Sequence, residues 1–398
     1  MVSNYHGWMI YAPPQLGEPE MRVIEELDQM RSELRHNVRD RRRWLGSLRR
    51  LTFARNVQGS NSIEGYDASL DDVLAAVDDE ETLEAGEETR LALRGYRDAL
   101  TYVMQIARDP EPPSIDESLL KSLHFMMIRH DLSKNPGQWR PGAIWVERDE
   151  DHELVYEAPD RELVPQLVGE LVSSLDTTSD ADEHAVLRAA MAHLNLVMIH
   201  PFSDGNGRMA RCLQTLVLAR EQILAPEFSS IEEYLGRNTT TYYDVLAAVG
   251  QGAWNPGNDA LPWVRFCLTA HHRQAGTLLR RVEETEQLWT GLEDLVRERG
   301  LPSRSIGPLA DAARGLRLGN ATYRRLVAQS EDEEIAELTA TRDLKRLVDA
   351  NLLAAVGERR GRTYTPSRDL QMLWATIRAS RPKRSDSDPF VDSGTSSS

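Results

Sequence analysis

The stretch HPFSDGNGRMAR, His200 to Arg211, sets a base, a carboxylate, a Gly-Asn-Gly turn and two guanidinium groups within twelve residues. Successive backbone N–H groups in a glycine-rich turn form a concavity for an anion, and the positive end of a following helix strengthens it. Gly205 and Gly207 leave no Cβ in the way of a phosphate, and Asn206 between them completes the turn. Arg208 and Arg211, three residues apart, share one face of the first helical turn and reach one anion through forked hydrogen bonds. Asp204 is placed to hold Mg2+, which takes one or two carboxylates together with substrate phosphates. His200 accepts a proton near neutral pH, as a hydroxyl attacking a metal-bound phosphate requires. Taken singly, a histidine at a helix end reads as a cap and a GNG turn as punctuation. In register, the elements predict a polyphosphate cradle suited to phosphoryl-type transfer, which is mostly positioning and charge stabilisation.

Other chemistries fit less well. No lysine follows a glycine, so there is no Walker A sequence, and GNGRMA follows a helix-like segment where a dinucleotide fold needs a strand. His193 and His200 are seven apart with no HExxH, which argues against zinc. Cys212 and Cys267 lie in apolar runs without CxxC spacing and read as buried thiols of a reducing compartment.

The elements that position the motif are mostly helices. Ala185 to Ile199, AVLRAAMAHLNLVMI, is apolar on nearly every side and predicts a buried central helix ending at the motif, with a second helix from Met209 to Glu221 after it. Helices are expected around Glu87 to Ala107, Ile115 to Arg129 and Glu162 to Leu175, and Ser69 opens an S-x-x-D helix start. Ala143 to Val146 and Leu154 to Tyr156 predict a hairpin around an acidic turn. Glu20 to Phe53 is polar and Arg-rich, which suits exposed helices, and RDRRRWLGSLRR within it reads as a solvated face. Beyond about Gly300, a helix over Thr339 to Asp349, a β-prone run Leu352 to Val356, the basic turn GERRGR and Thr363 to Thr365 follow the order of a winged helix-turn-helix. The Ser- and Asp-rich tail from about Arg378 is expected to be disordered.

A length of 398 residues predicts two or three domains. The net charge of -16 argues against a protein that coats nucleic acid or anionic membrane. No apolar stretch reaches the length of a membrane span, and the start MVSNYHGWMIYAPP lacks the charged and apolar regions of a signal peptide, so the expectation is a cytoplasmic protein.

HPFSDGNGRMAR matches the HxFx(D/E)GNGRxxR signature of Fic (Fido-fold) proteins, and the chain resembles that family over most of its first 275 residues. The hairpin region GAIWVERDEDHELVYEAP resembles the family's flap, and LPWVRFCL the helix that closes its core. The resemblance implies an ATP-dependent protein adenylyltransferase. His200 deprotonates a Ser, Thr or Tyr hydroxyl that attacks the α-phosphorus of ATP, and Asp204 holds Mg2+. Gly205, Asn206 and Gly207 cradle the phosphates, Arg208 and Arg211 bind their β/γ end, and Phe202 anchors the loop. The flap aligns the target protein by strand addition. SNSIEG, Ser60 to Gly65, is similar to the family's inhibitory-helix signature. It implies that Glu64 withholds Arg211 from the γ-phosphate, and that the same glutamate serves removal of AMP in some relatives. TYYDVL resembles the adenine side, which implies Tyr242 and Tyr243, while Gly250 stands near the place of an asparagine found in relatives.

The expected fold is mainly α: a Fic/Fido helical bundle with a β-hairpin flap, plus a C-terminal winged helix-turn-helix. The expected division is an N-terminal helical region with the inhibitory helix over 1–95, a Fic core over 96–275 and a helical linker over 276–300. The winged helix follows over 301–370 and the tail over 371–398. A homodimer is expected by analogy, and auto-AMPylation is an expected side activity. Two other readings stay open: a DNA-binding regulator whose core senses nucleotide, and a transferase using another nucleotide donor.

Overall fold

The computed structural model describes residues 9–39, 42–80, 84–147, 154–175, 184–331, 334–357, 362–382 and 388–391. Its elements run α1 (Glu18–Arg39), α2 (Leu45–Ser62), α3 (Leu70–Val77), α4 (Glu87–Ile106), α5 (Glu117–Ile128), β1 (Trp145–Glu147), β2 (Leu154–Glu157), α6 (Val164–Ser174), α7 (Ala185–Ile199) and α8 (Asn206–Ala219). They continue α9 (Pro226–Ser229), α10 (Glu232–Arg237), α11 (Thr239–Gly250), α12 (Leu261–Glu298), α13 (Ile306–Ala313), α14 (Asn320–Glu331), α15 (Glu337–Asp349), β3 (Leu353–Val356), β4 (Thr363–Pro366) and α16 (Arg368–Ala379). Backbone contacts divide the chain into two units, one of Met1–Ser32, Ala54–Ala275 and Asp388–Ser398, the other of Glu33–Phe53 and Gly276–Ser387.

In the first unit the near-uniform apolarity of α7 makes it the inner helix, with α6 and α8 packed on it. Leu194, Leu196, Ile199, Leu213 and Leu216 are fully buried, and each such side chain contributes roughly 1.5–3 kcal/mol. Ser69 caps α3, its hydroxyl accepting the Asp72 N–H at 3.1 Å. Cys212 and Cys267 are buried free thiols. Strands β1 and β2 pair antiparallel with Val146 opposite Tyr156, and the far edge of β2 bridges Ala253 through the Glu157 N–H and carbonyl. Among the described residues the hairpin forms a sheet of two strands. The acidic turn expected between the strands, 148–153, lies outside the described residues.

In the second unit α13, α14 and α15 precede the antiparallel hairpin β3–β4, and β4 also bridges Leu318 through Tyr364. The order is the helix-then-hairpin succession read in the sequence. Most of the GERRGR turn, 358–361, and much of the tail, 383–387 and 392–398, lie outside the described residues.

The segment expected to form exposed helices does not stay at the surface. α1 buries Val23, Ile24, Leu27 and Leu34, and α2 buries Leu48, Leu51, Asn56 and Ser60. Within RDRRRWLGSLRR, Trp44 is buried, and buried Arg50 pairs with Asp311 at 3.0 Å. Polar composition pointed outward because the carboxylate that pairs Arg50 lies far along the chain.

Candidate active site

Helix α7 stops at His200 because Pro201 follows, and a residue before proline is steered away from the right-handed helical region. His200 takes φ 52° and ψ 55°, a left-handed conformation uncommon for a residue with a Cβ. The chain turns there, and Phe202 enters the core, stacked on His124 with ring centroids 3.8 Å apart and 5.0 Å from Trp139. The Asn206 amide clamps the loop from the other side: its Oδ1 accepts the Phe202 N–H and its Nδ2 donates to the Phe202 carbonyl, both at 2.9 Å. All that remains of Asn206 for a ligand is its backbone N–H.

The second helix of the motif begins at Asn206, three residues earlier than the sequence pattern indicated. Gly205, at φ 74°, serves as its N-cap without a side chain, so the usual capping signal is missing. A Cβ at Gly205 would meet Ile128 at 2.9 Å. The first N–H groups of α8 have no partner within the helix and open into the loop.

His200 Nδ1 lies 3.1 Å from the Val197 carbonyl. A carbonyl only accepts, so Nδ1 carries the proton and Nε2 presents its lone pair. Burial, together with the charge of Arg140, lowers the His200 pKa, while the Val197 carbonyl, Glu64 and Asp204 oppose the shift. The ring is a neutral base at pH 7.

Arg208 and Arg211 are both 1% exposed. Arg208 lies over the Tyr66 ring at 5.2 Å, and its Nε and Nη1 have no protein acceptor. Arg211 donates through Nε to the Ser60 hydroxyl at 2.8 Å and through Nη2 to the Ser60 carbonyl at 2.9 Å and Glu64 Oε1 at 2.7 Å. Its Nη1 is buried without an acceptor. Two such guanidinium groups beside a helix start can seat an anion through forked, charge-assisted hydrogen bonds. Glu64 stands at the edge of that seat, where a Cβ on Gly207 would fall 2.5 Å from Oε1. Gly65 just after it is left-handed at φ 80°, so the helix-ending role of this glycine and the reach of Glu64 to Arg211 coexist.

Asp204 accepts its neighbour's N–H, from Gly205 to Oδ1 at 2.7 Å, and Oδ2 lies 4.0 Å from Arg208 Nη2. Its side chain is 35% exposed, which leaves an oxygen open toward the cradle. Among the described residues no group of three or more His, Cys, Asp or Glu side chains gathers to hold a metal. One carboxylate beside guanidinium nitrogens that lack acceptors fits Mg2+ held largely by substrate phosphate oxygens.

Tyr242 and Tyr243 point to opposite surroundings. Tyr242 is 1% exposed, and its hydroxyl meets His193 Nε2 at 3.0 Å in a buried chain that continues through Gln214 to His271. Tyr243 is 46% exposed, and its hydroxyl donates to the Ile63 carbonyl at 3.2 Å, next to Glu64. Gly250 lies against the Tyr156 ring, 3.1 Å from where its Cβ would be.

Two residues that sequence reasoning passed over hold the site together. Arg140 donates to the His200 carbonyl at 2.9 Å, to the Gly142 carbonyl at 2.7 Å and to the Pro159 carbonyl, tying the loop after α7 to both feet of the hairpin. His124 bonds the Asp204 carbonyl. Both partner with backbone 60 and 80 residues away, so no local pattern could have marked them. Tyr156 adds a third tie, its hydroxyl donating to the Met198 carbonyl at 2.8 Å.

In this helical protein a histidine, a carboxylate, guanidinium nitrogens without acceptors and a helix start lie close together, a set that can seat an anion. Residues 114–218 match the Fic/DOC family. It is similar to the protein adenylyltransferase fic-1 of Caenorhabditis elegans, 26% identical over 259 residues, 64% of this chain and 45% of that protein. It is also similar to the protein adenylyltransferase Fic of Nematostella vectensis, 28% identical over 269 residues, 64% of this chain and 55% of that protein. The chain thus spans about half the length of these curated relatives. A Fic family protein from Desulfovibrio desulfuricans superposes with a TM-score of 0.56 at 21% identity, covering 89% of this chain and 98% of that one. The C. elegans Fic-1 fragment (residues 134–508) superposes at 0.55 and 21% identity, covering 66% of this chain and 73% of that one. The fold is that of these Fic proteins. No helix among the described residues is long and apolar enough to cross a membrane.

Proposed function

We propose that this protein transfers AMP from ATP to a Ser, Thr or Tyr hydroxyl of a protein and that Glu64 restrains the reaction. The observation that carries the reading is the set of three buried guanidinium nitrogens without acceptors, Arg208 Nε and Nη1 and Arg211 Nη1, beside the start of α8. That set calls for a polyanion within reach of the neutral base His200. Similarity to proteins named adenylyltransferases supports the same reaction.

His200 Nε2 takes the proton of the target hydroxyl, and the oxygen attacks the α-phosphorus. The bond from that phosphorus to the β-bridging oxygen breaks, and pyrophosphate leaves. The N–H groups of Asn206, Gly207 and Arg208 cradle the phosphates, with Arg208 and Arg211 on the β/γ end. Asp204 would hold Mg2+, which when bound neutralises phosphate charge. The exposed ring of Tyr243 faces the adenine side, and buried Tyr242 supports it from behind. The β1–β2 hairpin aligns the target segment by strand addition. Glu64 occupies Arg211 and so keeps it from the γ-phosphate; the same carboxylate is positioned to orient water when AMP is removed. We further read 301–370 as the winged helix, on the support of the Leu318–Tyr364 bridge that adds a third strand segment to the hairpin.

The test is incorporation of label from α- and γ-labelled ATP with Mg2+ into the protein itself and into lysate, with competition by other nucleoside triphosphates. Weak α-labelling by wild type, strong α-labelling by Glu64→Gly and none by Glu64→Gly with His200→Ala is expected. A folded Glu64→Gly protein that incorporates no α-label overturns the reading.

A further inference from the structure

His124 lies on α5, fully buried, 80 residues before the loop it touches. Its Nδ1 faces the Gly137 N–H at 2.9 Å, and its Nε2 faces the Asp204 carbonyl at 3.0 Å. An N–H only donates and a carbonyl only accepts, so the two contacts demand a neutral ring with its proton on Nε2. The ring plane lies parallel to Phe202 within 7°. His124 is therefore held on both edges and one face, and one of those edges grips the loop itself.

The gripped carbonyl shares its peptide plane with the Gly205 N–H, which donates to Asp204 Oδ1. Fixing that plane fixes where the carboxylate of Asp204 points and where the run of N–H groups at the start of α8 begins. We propose that His124 is a positioning residue for the phosphate and metal loop: its Nε2–H, donated to the Asp204 carbonyl, sets the 204–205 peptide in the orientation that binds Mg-nucleotide. The inference rests on the reading of His200 to Arg211 as a nucleotide site. The competing account is that the ring merely fills space against Phe202.

Two substitutions separate these accounts. His124→Phe keeps the stacking and loses both hydrogen bonds. His124→Gln keeps an acceptor for Gly137 and a donor for Asp204 without the aromatic ring. In the Glu64→Gly background, ATP affinity is measured by equilibrium dialysis across a Mg2+ titration, alongside thermal melting. We expect His124→Phe to weaken Mg-ATP binding at least tenfold and to raise the Mg2+ concentration for half-saturation, while His124→Gln stays within about threefold of the parent. Binding by His124→Phe equal to the parent's overturns the proposal, as does equal weakening by both folded variants. If the Glu64→Gly parent itself binds no Mg-ATP, the nucleotide reading has failed.

A measurement on the unmutated, nucleotide-free protein stands apart from that reading and from any folding defect of the variants. Long-range 1H–15N correlation at pH 7 should find His124 as the Nε2–H tautomer. A Nδ1–H tautomer at this position overturns the proposal.

Discussion

Glu64 Oε1 lies 2.7 Å from Arg211 Nη2 and so close to the α-carbon of Gly207 that a single methyl there would collide with it. The chain's own carboxylate thus sits at the helix start where the cradle is expected to take phosphate. Ser60, in the last turn of α2 just before Glu64, holds the other side of the Arg211 fork through its hydroxyl and carbonyl. Ser60 in the last turn of α2 and Glu64 in the turn just beyond it thus hold Arg211 from neighbouring positions.

Glu64→Gln should release the site only in part. The amide oxygen can still accept from Arg211, but the charge-assisted part of the bond goes, and such bonds contribute about 1.5–3 kcal/mol. ATP affinity in a dialysis assay should fall between those of wild type and Glu64→Gly. An affinity equal to wild type's would show that Glu64 acts by bulk, not charge.

Gly207→Ala should fail even where the brake is absent. Without Glu64, the added Cβ still falls 3.1 Å from Arg211 Nη1 and intrudes where phosphate must approach. In the Glu64→Gly background we expect label transfer to drop at least a hundredfold with an unchanged melting temperature. Retained transfer would place the phosphates elsewhere.

The acid limb of transfer should report His200. Burial lowers its pKa below the ordinary 6.5, and the base works only when neutral. Single-turnover transfer by Glu64→Gly should be level from pH 8 down to 6.5 and decline below that. A midpoint above 6.5 would mean that another group limits the rate or that the ring is more solvated than its packing indicates.

Glu232 couples stability to pH. Burial raises its carboxyl to about 7 from 4.5, with Arg211 and the Thr215 and Ser230 hydroxyls pulling the other way. The folded state holds this proton more tightly than the unfolded chain, so its contribution is full below pH 4.5 and is lost as pH rises through 7. Glu232→Gln, neutral throughout, should gain stability over wild type above pH 7, by on the order of 3 kcal/mol at most. Urea unfolding at pH 5 and pH 8 checks this, and an equal difference at both pH values would refute it.

What the sequence by itself determined was local. The neighbourhood of the motif's residues was readable because its histidine, aspartate, turn and arginines are contiguous, and a tight turn fixes their neighbourhood with few outside constraints. The α7 boundaries, Ala185 to Ile199, were readable because a stretch apolar on all sides has only the interior to go to. The pairing of Glu64 with Arg211 came from resemblance rather than from pattern, and it is present at 147 residues' separation.

The tertiary structure alone decided which of two adjacent tyrosines is buried, because helix register against α7 and α12 turns Tyr242 inward and leaves Tyr243 out. It alone decided that Arg50 is core and not surface, because its desolvation is compensated by Asp311, a partner no spacing reveals. It also decided what holds the loop. His124 and Arg140 act on backbone carbonyls, and every residue carries a carbonyl, so residue identity holds no record of such a bond until the chain has folded and brought the two ends together.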